Sequence, residues 1–163
     1  MLFVGRNGNI SASVSRLCVE KGIELYLLNR GISQVKIPGV INITGDINES
    51  DSIQEILKDH KWDVVVNWIA FTEADIIRDF NLFHGKTEQY IFISSASVYQ
   101  KPLQNPIITE LTPLENPFWE YSRNKIACEV KLKGLHQEYD FPITIVRPSL
   151  TYDTVIPVAI GGW

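Results

Sequence analysis

Tyr121-Ser-Arg-Asn-Lys125 holds the residues of this chain best suited to acid–base chemistry. On a helix, side chains four positions apart share one face, roughly 6 Å apart along the axis. An ammonium in that position favours a phenolate over a phenol. A free tyrosine ionises near pH ~10 and is a poor base at neutrality, and a nearby cation makes it a usable one. Lys125 is therefore expected to lower the Tyr121 pKa. The plain alternative is two neighbours on a helix surface, so the surrounding elements decide what the pair means.

Those elements follow an alternating pattern. Short apolar runs at Leu2–Val4, Glu24–Leu28, Val40–Ile43, Val64–Asn67, Tyr90–Ile93 and Ile143–Val146 predict strands. Several are rich in valine and isoleucine with little polar alternation, as in a parallel sheet covered on both faces. Helical patterns fall between them, at about Asn9–Lys21, Glu49–Asp59, Thr72–Phe80 and Trp119–Tyr139. Ile10, Val14, Leu17 and Cys18 form one stripe on the first helix, and Gly22 reads as its stop. Strand and helix in alternation imply right-handed crossovers and an open α/β sheet. The stretch from Gln100 to Pro117 holds Pro102, Pro106, Pro113 and Pro117 and reads as one long irregular loop. Such a loop in a compact domain is often functional.

Gly5-Arg6-Asn7-Gly8-Asn9-Ile10-Ser11 lies between the first strand and the first helix, where a dinucleotide-binding loop belongs. Gly5 would allow the tight turn, and Gly8 would let the backbone approach a pyrophosphate. The helix N-terminus offers N–H groups and a positive dipole end. Ser11 stands where the usual third glycine would be. The second strand ends in Asn29-Arg30-Gly31, with no acid to bind the ribose hydroxyls of NAD. Arg6 and Arg30 would suit a 2′-phosphate, so NADP is preferred over NAD. Arg30 reads equally as a solvated turn residue. Asp46, in Gly45-Asp46-Ile47, could accept from an adenine amino group or cap the following turn.

Composition narrows the classes. With 163 residues, 45% hydrophobic and 21% charged, the chain suits one domain with a real core. A net charge of -4 gives no general basic surface, so nucleic acid is not the expected partner. No apolar run is long enough to cross a membrane. Met1-Leu2-Phe3-Val4-Gly5 reads as a strand and not as a leader. Cys18 and Cys128 read as reduced structural thiols in a cytoplasmic protein. His60, His84 and His136 show no ligand spacing, and no metal is expected. Trp62, Trp68 and Trp119 read as packing residues, with Trp68 also at the rim of a cofactor cleft. Glu73, Asp75 and Asp79 read as a solvated helix face. Glu110 reads as a loop carboxylate.

Together these segments resemble the extended short-chain dehydrogenases/reductases, the NAD(P)-dependent sugar epimerases and dehydratases. Gly5-x-x-Gly8 is similar to that family's first loop and Gly45-Asp46-Ile47 to its adenine-side acid. Asp63-Val-Val-Val-Asn-Trp68-Ile69-Ala70 resembles its fourth strand, which ends beside the cofactor. Ile93-Ser-Ser-Ala-Ser-Val-Tyr99 resembles its serine-bearing strand end. Ile108-Thr-Glu110 and Thr112-Pro-Leu114 resemble the loop before its catalytic helix. Tyr121-x-x-x-Lys125 follows at the family's distance, and Arg147-Pro148-Ser149 resembles its turn after the sixth strand.

The resemblance implies a Rossmann-like, doubly wound, mostly parallel sheet over residues 1–163. Tyr121 would be the general acid/base. Lys125 would lower its pKa and hold the nicotinamide ribose, and Ser95 would orient the substrate oxygen. Ser94 and Ser97 are its near neighbours in that role. The cofactor would touch Gly5, Arg6, Asn7, Gly8, Asn9, Ile10, Asn29, Arg30, Asp46, Ile47, Trp68, Ile69, Ala70, Tyr121 and Lys125. The nicotinamide would rest by Pro148, Ser149 and Leu150. The implied substrate is a nucleotide sugar, and the implied assembly is a homodimer through the Tyr121 helix. Family members run longer, and their C-terminal part builds the substrate pocket. This chain is expected to be a fragment that keeps the cofactor half and ends in apolar Val155–Ile160 and Gly161-Gly162-Trp163. The alternative implied by Ser11 and by that length is a non-catalytic NAD(P) sensor or an RNA-associated member.

Overall fold

A computed structural model describes residues 1–5, 8–31 and 37–151, with the side chains of Asn9 and Ser50 left aside. Arg6, Asn7 and the stretch from Val155 to Trp163 lie outside the described residues. The strands are β1 Leu2–Val4, β2 Tyr26–Asn29, β3 Ile41–Thr44, β4 Trp62–Asn67, β5 Thr87–Ile93 and β6 Ile143–Val146. The helices are α1 Asn9–Glu20, α2 Ser50–Leu57, α3 Glu73–Phe83 and α4 Glu120–Tyr139. A single 3-10 turn, Ala96–Val98, follows β5. All neighbouring strands pair in parallel, in the order β3-β2-β1-β4-β5-β6. The direction of winding reverses between β1 and β4, which is where such sheets place ligands.

Alternation along each strand sorts the core into two layers. Leu2, Val4, Leu28, Val65, Tyr90 and Phe92 face α2, α3 and α4, where Ile53, Leu57, Ile76, Phe83, Cys128 and Leu132 meet them. Phe3, Leu27 and Val66 face the other way, against Cys18 and Val14 of α1. Coverage on the α1 side is narrower than the sequence suggests. An apolar groove of about 270 Å³ runs between α1 and the β6 edge, with Val66, Ile91 and Val146 on its floor. Leu17 is half exposed on α1, so the predicted stripe is buried only in part.

Local stops behave as chain chemistry dictates. Gly22 takes φ +72° just past α1, a left-handed position natural for glycine. Thr72 caps α3: its hydroxyl accepts from the Asp75 N–H at 3.3 Å, and the Asp75 carboxylate accepts from the Thr72 and Phe71 N–H groups, both at 2.9 Å. The long loop from Gln100 is less irregular than its prolines suggest. Gln100 N–H donates to Pro113 O and Lys101 N–H to Glu115 O, both at 2.8 Å, closing the loop on itself. Among the described residues no helix is long and apolar enough to cross a membrane.

Candidate active site

Helix α4 places Tyr121 in its first turn and Lys125 one turn further, at the carboxyl ends of β4 and β5. Lys125 is only 2% exposed. Its Nζ donates to Ala70 O at 2.6 Å and to Ile93 O at 2.8 Å. It also sits 4.6 Å from the centre of the Phe71 ring and 4.7 Å from that of Phe92. Burial lowers its pKa to about 8, against the pull of Cys128, Asp75 and Glu129. Two of three ammonium donors are used, leaving one for a ligand.

The expected effect of Lys125 on Tyr121 is not what the structure displays. Lys125 Nζ lies 5.7 Å from the Tyr121 ring centre, turned to the two carbonyls. Burial raises the Tyr121 pKa, and the group that lowers it is the Ser95 hydroxyl. Tyr121 is flanked by the rings of Trp119 at 4.9 Å and Phe71 at 6.3 Å. Trp119, expected as a packing residue, is 55% exposed and packs against that phenol.

The three neighbouring serines separate cleanly. Ser94 turns inward, donating to Glu129 Oε1 at 2.6 Å. Ser95 faces Tyr121. Ser97 sits behind Ser95, its hydroxyl hydrogen-bonded to Ser95 Oγ at 2.9 Å and its N–H donating to the same oxygen at 3.1 Å. Ser95, Tyr121 and Lys125 are therefore brought together, as the resemblance implies. Pro148 joins them through its carbonyl, which accepts from Ala96 N–H at 2.9 Å. Ser149 and Leu150 follow in the same turn and are exposed.

Two buried carboxylates escaped the sequence reading. Glu129, one turn past Lys125, is fully buried and accepts two bonds from the Arg147 guanidinium, at 2.9 and 2.6 Å. Arg147 also reaches Tyr99 Oη at 3.1 Å. This pair ties α4 to the ends of β5 and β6. The second is Asp79, read as part of a solvated face. It is fully buried in α3, accepts from Tyr90 Oη at 2.5 Å and from Asn67 Nδ2, and is paired with Arg78 at 2.8 Å. Desolvation raises its pKa against those partners. Asn67 in turn accepts from Ile69 N–H at 2.7 Å, fixing the loop that carries Trp68, Ile69 and Ala70. Asp75 belongs to the α3 cap and not to a free surface.

The nucleotide side is built from turns. Gly5 has φ +79°, and a Cβ there would lie 2.5 Å from Ile69 Cγ2, so both backbone and space require glycine. Gly8 is an extended N-cap, where a Cβ would meet nothing closer than Ser11 Oγ at 3.7 Å. Ser11 Oγ accepts from Gly8 N–H at 3.1 Å and donates to Gly8 O at 3.0 Å, so the residue that stands in place of a third glycine braces the loop. The first turn of α1 carries no acidic residue. Asn9 and Ile10 open that turn. Asn29 accepts from Gly31 N–H at 2.9 Å, and Arg30 is exposed beside it. Asp46 accepts from Asn48 N–H at 3.0 Å, the turn-capping role. The Ile47 side chain is buried in the core. Trp68 packs edge-on to Phe3 at 5.3 Å, on the groove side of the sheet. A glycine-tight turn, an uncharged helix N-terminus and a spare ammonium donor fit a dinucleotide. No group of three or more His, Cys, Asp or Glu among the described residues is placed to hold a metal.

Comparison with known proteins follows the same lines. Residues 74–153 match the model of the NAD dependent epimerase/dehydratase family. The human dTDP-D-glucose 4,6-dehydratase is 26% identical over 127 residues, covering 68% of this chain and 36% of that protein. The Arabidopsis thaliana chloroplast stem-loop binding protein of 41 kDa b is 30% identical over 115 residues, 62% of this chain and 30% of that one. The chain thus spans about a third of the length of these relatives. The solved UDP-glucose 4-epimerase from Brucella ovis, in complex with NAD, shares the fold with a TM-score of 0.78 at 19% identity, over 90% of this chain and 50% of that one. Residues 74–153 thus carry the sequence pattern of the NAD dependent epimerase/dehydratase family, and the sheet around them has the fold seen in the solved epimerase.

Proposed function

We propose that this chain is the cofactor-binding part of an NAD(P)-dependent epimerase, dehydratase or reductase acting on a nucleotide sugar or a related hydroxyl or carbonyl compound. The single observation that carries the reading is the convergence of Ser95, Tyr121 and Lys125 at the rim of the sheet. The bound nicotinamide supplies hydride chemistry. Tyr121 takes or gives the proton of the reacting oxygen. Ser95 donates to that oxygen and holds it in line. Lys125 offers its remaining N–H to a ribose hydroxyl while its other bonds hold the helix in place. Gly5, Gly8 and the first turn of α1, with Asn9 and Ile10, cradle the pyrophosphate.

NADP is preferred in this reading. The β2 end presents Asn29 and an exposed Arg30, with Asn29 already committed to its own turn. Pairing of two copies through α4 belongs to the same proposal, and so does a reducing, cytoplasmic setting. Cys18 and Cys128 are both free and buried, and burial pushes the Cys128 thiol up to about 12.

Titration with NADH and NADPH, followed by nicotinamide fluorescence, tests the reading. Binding of neither below millimolar concentration would remove it, and tighter binding of NADH would remove the NADP preference alone. Tyr121→Phe should bind dinucleotide as the parent does and lose at least a hundredfold in turnover, on the order of the general acid–base contribution. Similarity to a stem-loop binding protein favours a second reading, an RNA-associated member without turnover. The net charge of -4 weighs against it. Retention of a labelled RNA stem-loop on a filter, lost with rising salt, would support it.

A further inference from the structure

Behind Ser95 the structure holds two more hydroxyls in line. Ser122, the residue next to Tyr121 on α4, is fully buried, and its Oγ is hydrogen-bonded to Ser97 Oγ at 2.8 Å. Ser97 Oγ is in turn hydrogen-bonded to Ser95 Oγ at 2.9 Å, and the Ser97 N–H donates to the same oxygen at 3.1 Å. A hydroxyl has one proton to give and two lone pairs to offer. One acceptor position of Ser95 is thus filled by the Ser97 N–H and the hydroxyl is held from behind by Ser97 Oγ; with the Ser97 proton turned to Ser95, the remaining capacity of Ser95 is to donate forward. Forward of Ser95 is the Tyr121 phenol. The turn is held at both ends: Asn116 Nδ2 donates to Ser97 O at 2.8 Å, and Ala96 N–H to Pro148 O at 2.9 Å.

We infer that Ser97 and Ser122 are positioning residues: a one-way run of hydroxyls, from Ser122 through Ser97 to Ser95, fixes Ser95 as a donor toward the reacting oxygen beside Tyr121. Without it, Ser95 could equally accept from the tyrosine and so hold it neutral. Hydrogen bonds in series polarise one another, so the last donor is also the stronger for the two behind it. The groups facing the phenol are Ser95 from the β5 end, Lys125 along the same helix, and the uncharged rings of Phe71 and Trp119. Lys125 is committed to Ala70 O and Ile93 O, which leaves the serine run to bias Tyr121 toward ionisation. The inference rests on Tyr121 being the acid–base group proposed above.

The test replaces Tyr121 by 3-fluorotyrosine in the full chain and follows its ¹⁹F shift against pH. Ser97→Ala should move the ionisation midpoint upward by about half to one pH unit, a three- to tenfold loss of proton release. Ser122→Ala should move it the same way by less. Ser97→Thr, which keeps the hydroxyl, should restore the parent midpoint. An unchanged midpoint in Ser97→Ala, or a Ser97→Thr that shifts as far as Ser97→Ala, would overturn the inference. If Ser97→Ala does not fold, Ser122→Ala decides, since its removal leaves the turn's backbone bonds intact. No dinucleotide or substrate enters the measurement. A chain that fails to bind NADH and NADPH would therefore sink the proposed function separately.

Discussion

The corner around Lys125 and the nucleotide rim share one edge of the sheet and are built by opposite means. Bonds at the corner join distant parts of the chain: Lys125 to Ala70 across 55 positions, Ser94 to Glu129 across 35, Arg147 to Glu129 across 18. Side-chain bonds at the rim are local: Ser11 to Gly8 across three positions, Gly31 to Asn29 and Asn48 to Asp46 across two. The corner forms only when the whole sheet is assembled. The side-chain bonds of the rim come from turn chemistry, while its backbone is tied across the sheet by Gly5 N–H to Leu28 O and Gly45 N–H to Asn29 O, both at 3.0 Å.

That contrast can be broken by substitution. The largest effect is expected at Glu129. Its removal in Glu129→Ala leaves Arg147 partly buried and Ser94 without a partner, at a cost of about 3–5 kcal/mol. At the rim, Asn29→Ala should cost only about 0.5–1.5 kcal/mol. Denaturant unfolding of the two variants measures both, and equal costs would end the distinction.

Lys125 gives the next effect, read through pH. Its folded pKa of about 8 lies below the ordinary value of 10.5, so between these limits the unfolded chain binds more protons. Stability due to Lys125 should therefore rise as pH rises through that window, by an amount on the order of 3 kcal/mol. Lys125→Met should lack that rise. Unfolding curves from pH 7 to 11 test it, and parallel pH dependences would show that the ammonium is not desolvated.

The smallest stability effects separate the two loop glycines. Gly5→Ala must strain a positive φ and displace Ile69, costing about 1–3 kcal/mol. Gly8→Ala makes only ordinary contact with Ser11 Oγ, at 3.7 Å, from an extended backbone and should change stability by less than about 0.5 kcal/mol. If Gly8 faces phosphate, the same variant should lose dinucleotide affinity. Unchanged affinity would confine the loop's role to its turn.

What could be seen in the sequence follows the same division. Five of the six strands lie within two residues of the apolar runs that predict them, and β5 begins three residues early. The rim was legible because glycine, Asn29 and Asp46 act on their own neighbours. Ser95, Tyr121 and Lys125 were legible from order and spacing. Asp79 was not, because its burial is decided by Asn67 on β4 and Tyr90 on β5, which no helical pattern contains. Glu129 did leave a signal: it continues the Tyr121–Lys125 face of α4 by one more turn, beside buried Cys128 and Leu132. The stretch from Ile93 to Tyr99 was legible as a serine-bearing strand end, but the contact of Ser97 with Ser122 was not, because it joins residues 25 positions apart.

Holding an ammonium between two carbonyls at the seam of helix and sheet has a practical corollary. An amine with so weak a hold on its proton would ordinarily be the first to react with acylating reagents, yet here it is walled off by Phe71 and Phe92. Covalent labelling at Lys125 should therefore be slow for an amine of that basicity, and coenzyme bound against its one free N–H should slow it further.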